Sequence, residues 1–190
     1  MSTMMTAKTV NGVDLMRLHA TIKAVREEPS LGAFTFRLAN RWTDGGHNRS
    51  AVQGFYGAGQ EDASRKVPFI LDNDEPDVLL GADRAPNPVE YVLHALAGCL
   101  TTTLVYHAAA KGIAVKSVQT AFEGDLDLRG FLGLSDRVRN GYQEIRVTMK
   151  VVADCSDSEV DELVKLAQRH SPVFDIVSNP VKVAVRGERG

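Results

Sequence analysis

Cys99 and Cys155, the two cysteines of this 190-residue chain, are the residues best suited to chemistry. A deprotonated thiol is a strong nucleophile, whereas a free cysteine that stays protonated often packs as a small apolar side chain. The pKa of a free cysteine is about 8.5, so a reactive cysteine needs a nearby positive charge that lowers this pKa. Cys99 lies roughly 17 Å past Pro88, where a helix is predicted to begin, and the helix dipole has faded at that distance. A reactive Cys99 therefore requires a cation from elsewhere in the fold.

A partner for Cys99 is not defined by spacing. No spacing rule pairs it with Cys155, which we interpret as an incidental thiol. His107 and His170 could act as a base or a cation near Cys99, or could be structural histidines.

Metal and nucleotide sites are not indicated. The two cysteines and five histidines show no C-x-x-C or H-x-x-x-H spacing, so we predict no metal and no bound cofactor. The glycines of 54–59 resemble a phosphate loop, but no Lys-Ser or Lys-Thr pair follows them.

The charge balance of the chain excludes other partners. With 22 basic and 24 acidic residues, the formal charge of −2 provides no field to attract nucleic acid or an anionic membrane. The first eleven residues lack the apolar core of a signal peptide, and no uninterrupted run of about 18 apolar residues follows. We therefore expect a cytoplasmic protein without nucleic-acid or membrane partners.

The first half of the chain predicts a peripheral helix and an antiparallel sheet. Leu15, Leu18, Ile22 and Val25 form an apolar stripe at helical spacing, with Asn11 as the expected N-cap. Strands are predicted at 34–38, 50–55 and 67–71, with turns at 45–46 and 73–76.

The central helix is predicted from Asn87-Pro88 to Ala110, with Gly112 as its stop. Apolar or small residues occupy nearly every face of this segment, which is typical of a buried helix. We therefore expect it to lie at the centre of the fold.

The remainder of the chain predicts a hairpin, a helix and a final strand. The β-rich segments 115–128 and 142–152 flank a loop at 129–141. A helix capped by Ser156 or Asp157 then runs to about His170, ahead of Pro172. The last strand is predicted at 181–185. We divide the chain into an N-terminal helix and strand extension (1–48) and a main domain (49–190) that together form one compact domain.

The start of the central helix reads NPVEYVLHALAGC from Asn87 to Cys99. This run resembles the signature of the OsmC/Ohr family (osmotically inducible protein C and organic hydroperoxide resistance). In that family, an Asn-Pro or Ser-Pro start precedes an Ala/Gly-rich helix with a reactive cysteine. The resemblance extends over roughly residues 50 to 187 and places the chain in a divergent OsmC-like branch with an N-terminal extension.

The resemblance implies an α+β fold in which curved antiparallel sheets pack on the central helix of an interlaced homodimer. It also implies active sites at the dimer interface and a role in oxidative stress. Family peroxidases reduce organic hydroperoxides with a first cysteine, resolve the sulfenic acid with a second one, and are recycled by a dithiol reductant such as a lipoylated protein. An Arg and a Glu hold the first cysteine as thiolate.

This chain departs from that pattern at each supporting position. The family Glu falls on Val89, and the carboxylate appears one place later as Glu90, a position where other branches also carry Glu. On an intact helix Glu90 lies about 180° around from Cys99 and roughly 13.5 Å away, so it could act only through another element or the partner chain. Its structural alternative is a first-turn acid favoured by the helix dipole. Ser171 occupies the position of the resolving cysteine, and a hydroxyl cannot form a disulfide.

The family Arg is missing from its expected strand. Four arginines could replace it in space, and the sequence does not choose between them: Arg37, Arg41, Arg49 and Arg84.

Two functions are favoured by these residues, and some other thiol transfer that depends on Cys99 is a third that they leave open. The first is a peroxidase in which Cys99 reduces a small hydrophobic hydroperoxide and an external thiol or dithiol resolves the sulfenic acid. The second is a protein that binds a hydrophobic ligand, or senses oxidants through Cys99, without turnover.

Overall fold

The structure of the protein is a computed structural model that describes residues 9–190. Residues 1–8, the beginning of the expected N-terminal extension, lie outside the described residues. The described chain forms two compact units, one of residues 9 and 14–92 and one of residues 10–13 and 93–190. The division expected after residue 48 stays a prediction.

The N-terminal segment begins with a two-stranded hairpin of β1 (Thr9–Val10) and β2 (Val13–Asp14). Asn11 and Gly12 turn the chain with φ values of 53° and 76°, as a tight hairpin turn requires. Helix α1 (Leu15–Glu27) follows, and a 3₁₀ turn at Pro29–Gly32 comes directly after it.

The predicted cap of α1 was wrong. Asp14, not Asn11, accepts hydrogen bonds from the backbone N–H groups of Met16 and Arg17. The Asn11 side chain instead donates to the Ile113 carbonyl and accepts from the Val115 N–H, at 2.9 and 2.8 Å.

The first unit contains two small antiparallel sheets. Their strands are β3 (Thr35–Phe36), β4 (Ala39–Asp44), β5 (His47–Val52), β6 (Phe55–Gly57), β7 (Gln60–Asp62) and β8 (Phe69–Asn73). One sheet has the order β3-β6-β7 and the other β4-β5-β8. The strand predicted at 50–55 is split between β5 and β6. The sequence analysis missed β4 and β7, because their mostly exposed residues lack apolar alternation.

Helix α2 (Pro88–Ala110) is the predicted central helix, and its bounds agree with the sequence. It buries a single ridge, formed by Leu96, Leu100, Leu104, Ala108 and Ala109. Its other faces are half-buried or exposed, so the expected all-round burial is not found within the described chain. Its length and composition would also allow it to cross a membrane, but the core helix of a soluble protein meets the same criteria.

The second unit continues with the long hairpin of β9 (Val115–Asp125) and β10 (Glu144–Ala153), connected through the short helix α3 (Leu128–Phe131). The two strands pair antiparallel, with Val118 opposite Val151 and Phe122 opposite Val147. The predicted hairpin is confirmed.

Helix α4 (Asp157–His170) begins at a capping box formed by Ser156 and Glu159. Helix α5 (Pro172–Ser178), which was not predicted, follows at once. The strand predicted at 181–185 was wrong, because residues 179–190 have no regular secondary structure. Val181, Val183 and Val185 are all exposed there, so no neighbouring strand of the described chain covers them.

The core of the second unit joins α2 to α4. Leu96, Leu100 and Leu104 from α2 cluster with Leu163 and Ala167 from α4. Half-buried side chains of β9, β10 and α5 close this cluster. Each fully buried leucine stabilises the fold by about 1.5–3 kcal/mol relative to an exposed one, so this ridge fixes the orientation of α2 and of Cys99.

Candidate functional site

Cys99 lies at the border of the buried ridge of α2. Its neighbours Leu96 and Leu100 are almost fully buried, whereas Gly98 and Thr102 are exposed. The thiol itself is half-buried and forms no disulfide. Because an inert core thiol would be enclosed on all sides, this border position leaves Cys99 accessible to a small molecule.

No cation is found bound to Cys99. Within residues 9–190 its thiol forms no ion pair and no hydrogen bond. Of the four arginines considered, three are engaged by carboxylates of the first unit: Arg37 by Glu61, Arg49 by Asp72 and Arg84 by Asp44, each with a contact of 2.8–2.9 Å.

Arg41 is the exception among these four arginines. It is exposed, it lies directly opposite Arg49 on the β4–β5 pair, and it forms no ion pair with any residue from 9 to 190. It is therefore the one arginine of this set whose charge is not already neutralised.

Glu90 forms a capping box with Asn87 at the start of α2. The Glu90 carboxylate accepts a hydrogen bond from the Asn87 N–H at 2.8 Å, and the Asn87 side-chain oxygen accepts one from the Glu90 N–H at 2.9 Å. These bonds satisfy backbone donors that the first helical turn would otherwise leave free. The structure thus gives Glu90 a positioning role at the helix N-terminus.

The loop that leads into α2 is organised by the buried carboxylate of Asp74. It accepts hydrogen bonds from the N–H groups of Glu75, Ala82 and Arg84. Burial alone would raise the pKa of Asp74, but these backbone donors and the Arg84 charge hold it below its ordinary value. Sequence analysis missed this role, although the predicted turn at 73–76 is where a short acidic side chain commonly bonds nearby backbone.

Around this loop, side chains of β5, β8 and α2 form a polar network. His47 lies 2.9 Å from Asp72 through Nε2 and 3.6 Å from Asp44 through Nδ1. The Tyr91 hydroxyl donates to the Asp72 carbonyl at 2.8 Å. Together with the Asp74 loop, this network fixes the first turn of α2.

Ser171 is buried and caps α5. Its Oγ accepts a hydrogen bond from the Phe174 N–H at 3.1 Å, and its side chain is 2% exposed. A hydroxyl in this position is explained by helix capping.

The two histidines considered near the site lie against each other. The rings of His107 and His170 stack with centroids 5.1 Å apart, where α2 and α4 end. Burial, followed by His170 and Lys111, lowers the pKa of His107, so this imidazole favours its neutral form.

Cys155 lies between β10 and α4, in an acidic environment. Burial raises the pKa of its thiol, and the charges of Glu159, Asp154 and Asp157 raise it further. Because these effects disfavour a thiolate, Cys155 is poorly suited to act as a nucleophile. In the described part of the chain, no three His, Cys, Asp or Glu side chains are placed to hold a metal ion.

A comparison with known protein families identifies the family of this chain. The OsmC-like protein family matches residues 81–186, which include all of α2, the β9–β10 hairpin, α4 and α5. The chain belongs to the OsmC-like protein family. A comparison with curated protein sequences finds no match.

Solved structures share the OsmC-like fold with this chain. An OsmC-like protein from Mycoplasma pneumoniae aligns at 14% identity with a TM-score of 0.59, over 77% of this chain and 89% of that one. An OsmC-like protein of unknown function from Vibrio cholerae aligns at 12% identity with a TM-score of 0.52, over 74% and 92%. An organic hydroperoxide resistance protein OsmC from Legionella pneumophila aligns at 17% identity with a TM-score of 0.50, over 75% and 88%. At these identities the likeness establishes the fold.

In this member of the OsmC-like family, Cys99 lies on the central helix α2, inside the segment that matches the family. Glu90 serves the start of α2 and Ser171 the start of α5. The roles that the resemblance implied for Cys99, Glu90 and Ser171 in catalysis stay predictions.

Proposed function

We propose that this OsmC-like protein is a thiol peroxidase in which Cys99 reduces a small hydrophobic hydroperoxide, in a role connected with oxidative stress. The observation that carries the proposal is the half-buried thiol of Cys99 at the border of an apolar ridge, inside the family-matched segment. An apolar surface beside a partly exposed thiol suits an organic peroxide better than a polar one.

The proposed reaction has three steps. The Cys99 thiolate attacks one peroxide oxygen, the O–O bond breaks, and the products are a sulfenic acid and, after protonation, an alcohol. An external thiol then attacks the sulfenic sulfur and releases water, which leaves a mixed disulfide. A second thiol group of the reductant then attacks that disulfide. Cys99 leaves as the thiolate, and the reductant is released as a disulfide.

An external reductant is proposed because no residue at the expected positions can resolve the sulfenic acid. Ser171 cannot form a disulfide, and the environment of Cys155 disfavours its thiolate. A dithiol, such as a lipoyl group or a small dithiol compound, would supply both electrons.

A homodimer is the second part of this proposal. In the described chain, one face of α2 is exposed although it carries small and apolar residues, namely Val92, Ala95, Gly98, Thr102 and Tyr106. The exposed valines of residues 181–185 occur at every second position, which is the spacing of one face of a β-strand. A second copy could supply the strand that pairs with this segment. A second copy that covers these surfaces would remove exposed apolar area and would exclude water near Cys99.

The central experiment measures the consumption of cumene hydroperoxide with dihydrolipoamide or dithiothreitol as reductant. We expect turnover in the parent protein and in Cys155→Ser, and none above background in Cys99→Ser. Trapping with dimedone followed by mass spectrometry should place the sulfenic acid on Cys99. Equal turnover in Cys99→Ser and Cys155→Ser would refute the proposal, and a monomeric mass by light scattering would refute the dimer.

A second candidate function is hydrophobic-ligand binding or thiol sensing without turnover. It is favoured by the absence of an ion pair at Cys99 within residues 9–190 and by the engagement of three of the four arginines with carboxylates. In this case a hydroperoxide would oxidise Cys99 once, and added dithiol would not sustain further consumption of the hydroperoxide. Alkylation of Cys99 no faster than that of a free thiol, together with no ligand in mass spectra of the native protein, would exclude this function.

A further inference from the structure

The connection between β9 and β10 presents four apolar side chains to solvent. Leu128, Phe131, Leu132 and Leu134 are 37%, 73%, 58% and 70% exposed. We call residues 128–139 the hairpin tip. Phe131, Leu132 and Leu134 are thus more exposed than covered by the described chain. Neither Cys99 nor the exposed face of α2 is part of the tip.

Four backbone N–H groups of the hairpin tip are hydrogen-bonded within the turn that begins at Asp127. The N–H groups of Gly130, Leu132, Gly133 and Leu134 each donate to a carbonyl three to five residues earlier, at 2.8–3.2 Å. Asp127 caps this turn by accepting from the Arg129 N–H at 3.0 Å. Peptide groups paired in this way can enter an apolar phase without the cost of an unsatisfied donor.

The hairpin tip also has a defined shape. A Cβ at Gly130 would lie 2.6 Å from the Arg139 carbonyl oxygen, so the backbone of α3 is in direct contact with the backbone at the end of the tip. The Gln143 side chain donates to the same carbonyl at 3.0 Å. The apolar side chains are therefore held on a fixed turn.

The charge of the hairpin tip is positive, unlike the charge of the whole chain. Arg129 is neutralised by Asp127, and this pairing holds the Asp127 pKa at about 2. Of the remaining charges on the tip, Arg137 and Arg139 form no ion pair within residues 9–190, and Asp136 is the one acidic residue beside them. The tip thus combines apolar side chains with a small excess of free positive charge.

We propose that the hairpin tip docks on the surface of an anionic lipid bilayer. Phe131, Leu132 and Leu134 enter the boundary between headgroups and acyl chains, while Arg137 and Arg139 meet lipid phosphates. Burial of apolar side chains and attraction of cations to anionic lipids are the two contributions that hold a peripheral protein at a membrane. The charge of the whole chain predicted no membrane partner, but attraction at a surface is local and acts within about a Debye length.

The test measures co-sedimentation of the full chain with vesicles of phosphatidylcholine alone and of phosphatidylcholine mixed with phosphatidylglycerol. We expect binding to the mixed vesicles that weakens as salt is added. The variant Phe131→Ser/Leu134→Ser should lose about tenfold in binding, because two insertion groups are removed. Val78→Ser/Leu80→Ser is the matched control, since Val78 and Leu80 are equally exposed outside the tip, and it should bind like the parent.

A second variant, Arg137→Gln/Arg139→Gln, leaves the apolar side chains in place and should abolish the preference for phosphatidylglycerol. If circular dichroism shows that the serine variant does not fold, the arginine variant still tests whether the tip binds anionic lipid. The proposal is overturned if the parent binds neither vesicle, or if the control loses as much binding as the tip variant. It is equally overturned if the serine variant lowers the oligomeric mass by light scattering, because the tip would then lie between copies of the chain.

Discussion

Asn87 and Glu90 exchange hydrogen bonds between side chain and backbone at the start of the helix that carries Cys99. The two distances are 2.8 and 2.9 Å, and the exchange closes the first turn of α2. The Glu90 carboxylate, one place after the position of the family Glu, is thus engaged in holding the helix. The consequence for Cys99 is indirect, because α2 must be formed and fixed before its thiol has a defined environment.

The capping pair predicts different effects for two variants. Asn87→Ala removes the acceptor for the Glu90 N–H and should destabilise the protein by about 1 kcal/mol in urea unfolding. Glu90→Gln keeps an oxygen that can accept from the Asn87 N–H, so both stability and hydroperoxide consumption should stay close to those of the parent. A large loss of turnover in Glu90→Gln at unchanged stability would instead show that the negative charge takes part in catalysis.

Replacement of Ser171 should lower the stability of the protein without lowering its turnover of hydroperoxide. Ser171→Ala removes a buried N-cap, leaves the Phe174 N–H without its acceptor, and should cost about 1–2 kcal/mol in urea unfolding. With dithiol in excess, the turnover of the folded variant should equal that of the parent, because the reductant resolves the sulfenic acid. Ser178→Ala, at an exposed position at the end of α5, is the control for a hydroxyl lost outside a buried cap.

Two glycines should respond to alanine in opposite directions. A Cβ at Gly81 would lie 1.7 Å from the Glu75 carbonyl oxygen, so Gly81→Ala must displace the loop before α2 and should cost about 3 kcal/mol. A Cβ at Gly98 meets nothing within 4 Å in the described chain, and alanine is favoured over glycine in a helix by about 1 kcal/mol. Gly98→Ala should therefore be more stable than the parent. Gly98→Ala should also keep the dimeric mass, because the single methyl adds apolar surface to the face that the proposed second copy covers. A loss of both stability and dimeric mass would show that the second copy packs directly on the Gly98 backbone.

Glu75 and Glu61 predict opposite dependences of stability on pH. Burial, with Asp74 and Glu90 beside it, raises the Glu75 pKa. Its contribution is full below the unfolded pKa of about 4.3 and is lost as the pH rises through the folded pKa. Glu75→Gln should therefore be more stable than the parent at pH 7, with a flatter pH profile above the unfolded pKa.

The comparison variant is Glu61→Gln. The hydrogen bond from Arg37 lowers the Glu61 pKa, so the contribution of this carboxylate is present above the unfolded pKa and is lost as the pH falls through the folded pKa. Glu61→Gln should be slightly less stable than the parent at neutral pH, and the effect should be small because both partners are more than half exposed. Thermal melts across the acidic and neutral range test both variants, and a change of the same sign in both would contradict this assignment.

Much of the second unit could be predicted from the sequence, because its information is local. The Asn87-Pro88 start and the Gly112 stop defined α2, and the alternation of Ile145, Val147, Met149 and Val151 defined β10. Ser156 was one of two expected caps of α4, and the capping box confirms it. These patterns arise within a few residues of the chain, where backbone geometry and solvent exposure act directly.

The first unit was less predictable. Its short strands carry exposed polar residues, as in β4, so no apolar period marks them. The N-cap of α1 was assigned to Asn11, because both Asn11 and Asp14 are acceptable caps and only the distant backbone of Ile113 and Val115 engages Asn11.

The sequence by itself determined that a cysteine stands on a long apolar helix in an OsmC-like chain, since residue type and helical period need no further context. The tertiary structure alone decided how the polar side chains are used. It placed the Asn11 side chain on the backbone of Ile113 and Val115, and the Arg37, Arg49 and Arg84 guanidinium groups on carboxylates distant in the sequence. A polar side chain is defined by the partner that satisfies it, and that partner is fixed only when distant segments of the chain pack together.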